Sequence, residues 1–160
     1  MGVCYNLVVA QDASGEHPEW SIAADGSFSA PLELAYPYSR TLGSTLSRFF
    51  TSLRERRIEG TVGSDQRVYA PPAEFDPVTG DPCTEWVEVE PTGVVTTWCW
   101  DPTRATAWAL VRLDGADVPM LHRVAADGPD RIATGMRVRA RWSAETIGSI
   151  TDIECFEPED

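Results

Sequence analysis

The sequence has 160 residues, 42 % of them hydrophobic, and a formal net charge of −12. That length fits one domain with at most a small appendage, and six Trp with five Phe supply enough apolar material to argue against a disordered chain. The acidity disfavours general binding to phosphate backbones or anionic membranes, which needs tightly clustered positive charge to overcome it.

All 13 basic residues are Arg, which base composition explains as well as function does. No apolar run reaches the length that spans a bilayer, and the N-terminus shows neither a basic n-region nor an apolar h-region. A cytoplasmic protein is therefore expected. Cys4, Cys83, Cys99 and Cys155 are scattered and never form a C-x-x-C pair, so they read as free thiols in a reducing compartment. Two disulfides are the alternative that an even count allows.

Residues 1–36 read as an N-terminal extension too small for its own core, with a weak hairpin around Trp20, Ser21, Ile22 and Phe28. The spacing of Leu42, Leu46, Phe49, Phe50 and Leu53 then predicts one amphipathic helix over 39–57. Ser39 is its expected N-cap, and Arg54, Arg56 and Arg57 oppose the helix dipole in its last turn. Phe49 and Phe50 are adjacent, so they flank the apolar stripe or leave one ring for a partner. Two short strands are expected next, at 58–62 and 67–70, joined by a turn at 63–65. Pro71, Pro72, Pro77 and Pro82 hold the following loop extended and out of any sheet interior.

Strands are expected from 84 to the end, at 84–90, 93–100, 105–113, 119–124, 136–142 and 149–156. The runs at 86–90 and 137–142 alternate with period two, as half-buried strands do. Short strands at this spacing indicate a small antiparallel barrel, and a helical turn near 129–133 sits where an OB-fold carries its inserted helix. The division expected is an extension over 1–36, a helix with a ribbon over 37–83, and a barrel with an acidic tail over 84–160.

The order of the phrases SRFFTSLRERRIEGT (47–61), RVYAPP (67–72), DPVTGDP (76–82), EWVEVEPTGVV (85–95), AWALVRLDGAD (107–117) and TGMRVRARW (134–142) resembles the zinc-ribbon and OB-fold acyl-CoA-associated family. The likeness spans roughly residues 36–157. Members of that family accompany thiolase-like lipid-transfer proteins and aldolases. The resemblance implies a mainly β fold: a five-stranded OB-fold barrel after an amphipathic helix and a rubredoxin-like ribbon. It also implies a non-catalytic accessory subunit that docks on such an enzyme and supports its acyl-CoA site, in steroid side-chain or lipid catabolism. A CoA ester would be the shared ligand of the complex, with no cofactor held tightly by this chain.

The departure falls on the metal site. The two knuckles read Gly63-Ser64-Asp65-Gln66 and Asp76-Pro77-Val78-Thr79-Gly80, keeping turn residues but no cysteine. Structural zinc takes four ligands, mainly thiolate or imidazole, so a metal-free ribbon held by packing is expected.

No G-x-S-x-G, phosphate-binding glycine loop or dinucleotide fingerprint is present. His122 is the best-placed acid–base candidate, against a plain reading as a barrel-wall or solvent-facing histidine. Arg48, Phe49, Phe50, Arg54, Arg57, Pro71 and Pro72 are the candidate contacts to a partner or to CoA. For the arginines, dipole compensation is the competing account. Arg137, Arg139 and Arg141 share one strand face, and with Trp98, Trp100 and Trp108 they raise single-stranded nucleic-acid binding as an alternative. The other alternative is a free-standing acyl-CoA-binding or hydratase-like domain.

Overall fold

The computed structural model describes residues 21–22, 24–29 and 41–159, and divides the chain into two units at Thr41/Leu42. In the first unit, β1 (Ser21–Ile22) pairs antiparallel with β2 (Phe28–Ser29) across a turn at Gly26, the hairpin expected there. Trp20 lies outside the described residues.

The second unit begins with helix α1 (Gly43–Arg54), shorter than the periodicity predicted. Ser39 lies outside the described residues; Leu42 holds the N-cap position without a side-chain cap. The early stop has a local cause. Arg56 turns left-handed (φ 58°), and the N–H groups of Glu55, Arg56 and Arg57 close back onto the carbonyls of Ser52 and Leu53. Arg56 and Arg57 therefore leave the helix instead of extending it, and the chain enters β3 (Ile58–Val62).

β3 pairs with β4 (Val68–Tyr69) on one side and β5 (Glu85–Val89) on the other. The run at 84–90, expected among the barrel strands, thus belongs to the ribbon sheet: its period-two pattern identifies a strand but not its partner. β3 and β4 lie so close that a Cβ on Gly60 would stand 2.6 Å from the Tyr69 carbonyl oxygen, which is why glycine occupies the middle of this strand.

The remaining strands are β6 (Thr92–Asp101), β7 (Thr106–Leu113), β8 (Met120–Val124), β9 (Arg137–Trp142) and β10 (Ile153–Pro158). They close a barrel in the order β10-β8-β7-β6-β9, with β10 parallel to β8 and all other pairs antiparallel. A 3-10 turn at Pro129–Arg131 connects β8 to β9, and Gly93 with a bulge after Val95 lets β6 serve two neighbours. This order and the single parallel pair define an OB-fold.

The core is continuous through the unit. Phe49 and Leu53 from α1 join Ile58 and Val89 of the ribbon sheet, then Val95, Val111, Leu113, Val138, Ile153 and Phe156 of the barrel. Only the second half of the helix stripe enters it. Phe49 is 1 % exposed and Phe50 half-buried, whereas Leu42 and Leu46 remain 48 % and 38 % exposed.

Candidate functional site

Arg48 on α1 and Arg57 just beyond its end converge on one buried carboxylate. Glu59 on β3 receives a two-pronged hydrogen bond from Arg48 (2.8 and 3.1 Å), a bond from the Ser52 hydroxyl, and the Arg57 guanidinium at 3.7 Å. Arg48 hydrogen-bonding, reinforced by Ser52 and opposed by burial, holds the Glu59 carboxyl down at about 2. The Arg48 guanidinium also lies 4.2 Å from the centroid of the Trp86 ring on β5, a cation–π contact that ties helix to sheet. Arg57 pairs with Glu55 and Glu88 as well. Arg56 reaches the carbonyls of Ser143 and Ala144, and the Arg54 carbonyl accepts from the Thr146 hydroxyl.

Among the sequence-predicted contacts, Arg48 and Arg57 come together on Glu59, while Phe49 is consumed by the core. Pro71 is exposed after a cis Ala70–Pro71 bond, and Pro72 is buried. Glu59 itself was not singled out from sequence. Its alternation with Ile58, Gly60 and Val62 reads from sequence as a water-facing position, and only the covering of both faces of β3 makes it buried.

The ribbon knuckles are joined by Asp76. Its carboxylate accepts from the Ser64 N–H (2.6 Å) and hydroxyl (2.8 Å) of the first knuckle, and from the Val78 (2.7 Å) and Thr79 (3.2 Å) N–H groups of the second. Those donors, led by the Val78 and Ser64 amides, hold the Asp76 carboxyl at about 2. Asp65 turns to Arg67 at 3.3 Å. Burial and the Asp76 charge push the nearby Cys83 thiol up, which disfavours a thiolate. The structural zinc implied by the family that the sequence resembles does not fit these residues. The Asp76 oxygens already accept four hydrogen bonds, and among the described residues no group of three or more His, Cys, Asp or Glu can hold a metal. Cys83, Cys99 and Cys155 are free thiols; Cys4 lies outside the described residues.

His122 faces inward on β8, 7 % exposed and edge-on to Phe156 (ring centroids 5.6 Å apart). Its ring nitrogens sit at 3.4 and 3.5 Å from the carbonyls of Ile150 and Arg123, and burial lowers its pKa. This is the barrel-wall histidine of the plain reading.

The strand arginines are neutralised. Arg137 pairs with Asp114 (2.7 Å) and Glu159 (3.1 Å), Arg139 with Glu159 (3.2 Å), and Arg141 with Glu154 (3.1 Å) and Glu157 (3.4 Å). The three Trp residues do not form one platform. Trp98 and Trp100 lie opposite Ala109 and Ala107 on the inner side and pack on the core, whereas Trp108 stands on the outer wall.

One open cleft of ≈ 770 Å³ lies between the β8–β9 connection and the end of β10. It places Asp127, Asp130 and Glu157 against a single Arg131. That balance repels a polyphosphate.

Closed five-strand barrel, three-stranded ribbon and capping helix together define an OB-fold protein with a ribbon in front of the barrel. Residues 86–143 match the family model described as the C-terminal OB-fold domain of ChsH2. The structure is similar to a solved chain titled "Ltp2-ChsH2(DUF35) aldolase" at 22 % identity and a TM-score of 0.54, over 75 % of this chain and 98 % of that one. It is also similar to a DUF35-family protein of unknown function from Sulfolobus solfataricus, at 14 % identity and a TM-score of 0.53, over 74 % and 85 % of the two chains. No curated protein matches the sequence. The chain thus has the OB-fold architecture of the ChsH2 and DUF35 proteins. Among the described residues no helix is long and apolar enough to cross a membrane.

Proposed function

We propose that this chain is a non-catalytic accessory subunit that docks on an aldolase-type, thiolase-like partner and supports its acyl-CoA site. The observation that carries the reading is the match of residues 86–143 to the ChsH2 OB-fold domain, together with the likeness of the fold to a chain of the Ltp2-ChsH2(DUF35) aldolase. The local chemistry agrees. His122 is buried against Phe156, Arg48 and Arg57 are spent on Glu59, and Arg56 on backbone carbonyls. A CoA ester is then the ligand of the complex, and steroid side-chain or lipid catabolism is the setting that fits such a partner.

The nucleic-acid alternative is weakened by the ion-paired Arg137, Arg139 and Arg141 and by the divided Trp set. A free-standing CoA-binding domain is weakened by the acidic cleft.

The test is co-expression with each thiolase-like lipid-transfer protein of the same genome, followed by size-exclusion chromatography with mass determination. A stoichiometric complex in which the partner gains aldol-cleaving activity toward an acyl-CoA supports the reading. A chain that stays alone with every such protein overturns it.

A further inference from the structure

The outer wall formed by β6, β7 and β8 breaks the rule that the wet side of a strand is polar. On β7 the outward positions are Trp108, Leu110 and Arg112; opposite them on β8 stand Arg123, across from Trp108, and Leu121, across from Leu110. On β6 the same face presents Thr97 and Cys99. Leu121 is 62 % exposed. Beside it an open groove of ≈ 460 Å³ runs between Trp108, Leu121 and Ile150, with Glu154 at its rim.

The charge of this wall is equally unlike the rest. The chain carries 25 acidic residues against 13 basic ones, yet the acidic position of this face is Asp101 at the far end of β6, opposite Thr106, and it is held by Arg104 at 2.9 Å. Among the described ion pairs neither Arg112 nor Arg123 appears: Arg112 acts on the Asp114 carboxylate, already held by Arg137, through its charge alone, and Arg123 donates to the Glu154 carbonyl oxygen (2.9 Å). The arginines of β9 are all paired. Protein–protein interface centres are enriched in Trp and Arg and depleted of Asp and Glu, and exposed apolar patches mark such contacts.

We infer that the outer wall of β6–β7–β8 is the docking surface for the partner subunit. The partner offers an apolar side chain to the groove beside Trp108 and Leu121, and carboxylates to Arg112 and Arg123. This rests on the accessory-subunit reading and adds to it the face and the chemistry of contact.

The experiment compares binding of the thiolase-like protein found by co-expression to the wild-type chain and to Leu121→Asp, Arg123→Glu and Arg139→Glu. Leu121 and Arg123 are exposed, so melting temperatures should match. Leu121→Asp and Arg123→Glu are expected to weaken binding by about tenfold or more, and Arg139→Glu on the ion-paired wall to change it little. In parallel, Cys99 should be alkylated in the free wild-type chain and protected in the complex. A complex that forms while both variants bind normally, or while Cys99 stays as reactive, overturns the assigned face and leaves the accessory role standing. Failure of the wild-type chain to bind any such protein overturns both.

Discussion

In the barrel, Val95, Val111, Val138, Ile153 and Phe156 shut water out with apolar side chains; in the ribbon, the equivalent central places go to two carboxylates, Glu59 and Asp76. The barrel is held by non-directional burial, whereas the ribbon, although Ile58 and Val89 join the same core, also relies on hydrogen bonds that need a negative charge at a fixed point. A region of the second kind can keep its shape without a metal, because an ionised carboxylate gathers N–H donors from two loops at once. It also depends on protonation in a way that an apolar core does not.

The largest separation between the regions should come from Phe156→Ala. Phe156 is fully buried, and emptying its site should cost about 3–5 kcal/mol, read as a lower denaturation midpoint for the whole unit. Asp76→Ala should do less to global unfolding but remove the tie between knuckles. Amide exchange should then speed at Ser64, Val78 and Thr79 while β6–β10 amides stay protected.

Acid should act on the regions in two windows. Burial lowers the His122 pKa below its ordinary 6.5, so the unfolded chain binds the proton first and barrel stability falls as pH drops below that value. In His122→Gln this slope in melting temperature should vanish. Glu59 and Asp76 are depressed to about 2, so their contribution is intact above ordinary carboxylate values and lost as pH falls toward 2. Amide shifts of Ser64 and Val78 should move only in that lower window. The smallest effect belongs to the exposed wall: Arg139→Glu should change stability by no more than about 1 kcal/mol, and a larger loss would show that its ion pairs act as a network.

The barrel was the legible part. Alternation in RVRARW and AWALVRL places Val138, Ala140, Ala107 and Val111 inside without any knowledge of partners. The ribbon was less so, because pairing of β5 with β3 is a long-range choice that the same alternation leaves open. The candidate contacts failed to form one site for a related reason. Arg48 and Arg57 look like a free basic patch until β3 folds back and delivers Glu59 between them. Likewise the Trp residues share a stretch of sequence, but the bulge after Val95 changes which β6 side chains face inward, leaving Trp98 and Trp100 on the opposite side of the wall from Trp108.

The parallel contact between β8 and β10 has a kinetic consequence. Val124 and Phe156 must meet across the whole β9 segment before the barrel can close, whereas α1, β3 and β4 are neighbours in sequence. Folding dominated by such distant contacts runs on the order of milliseconds to seconds, so the helix and its hairpin can form early and wait for the last strand to be threaded between β8 and β9.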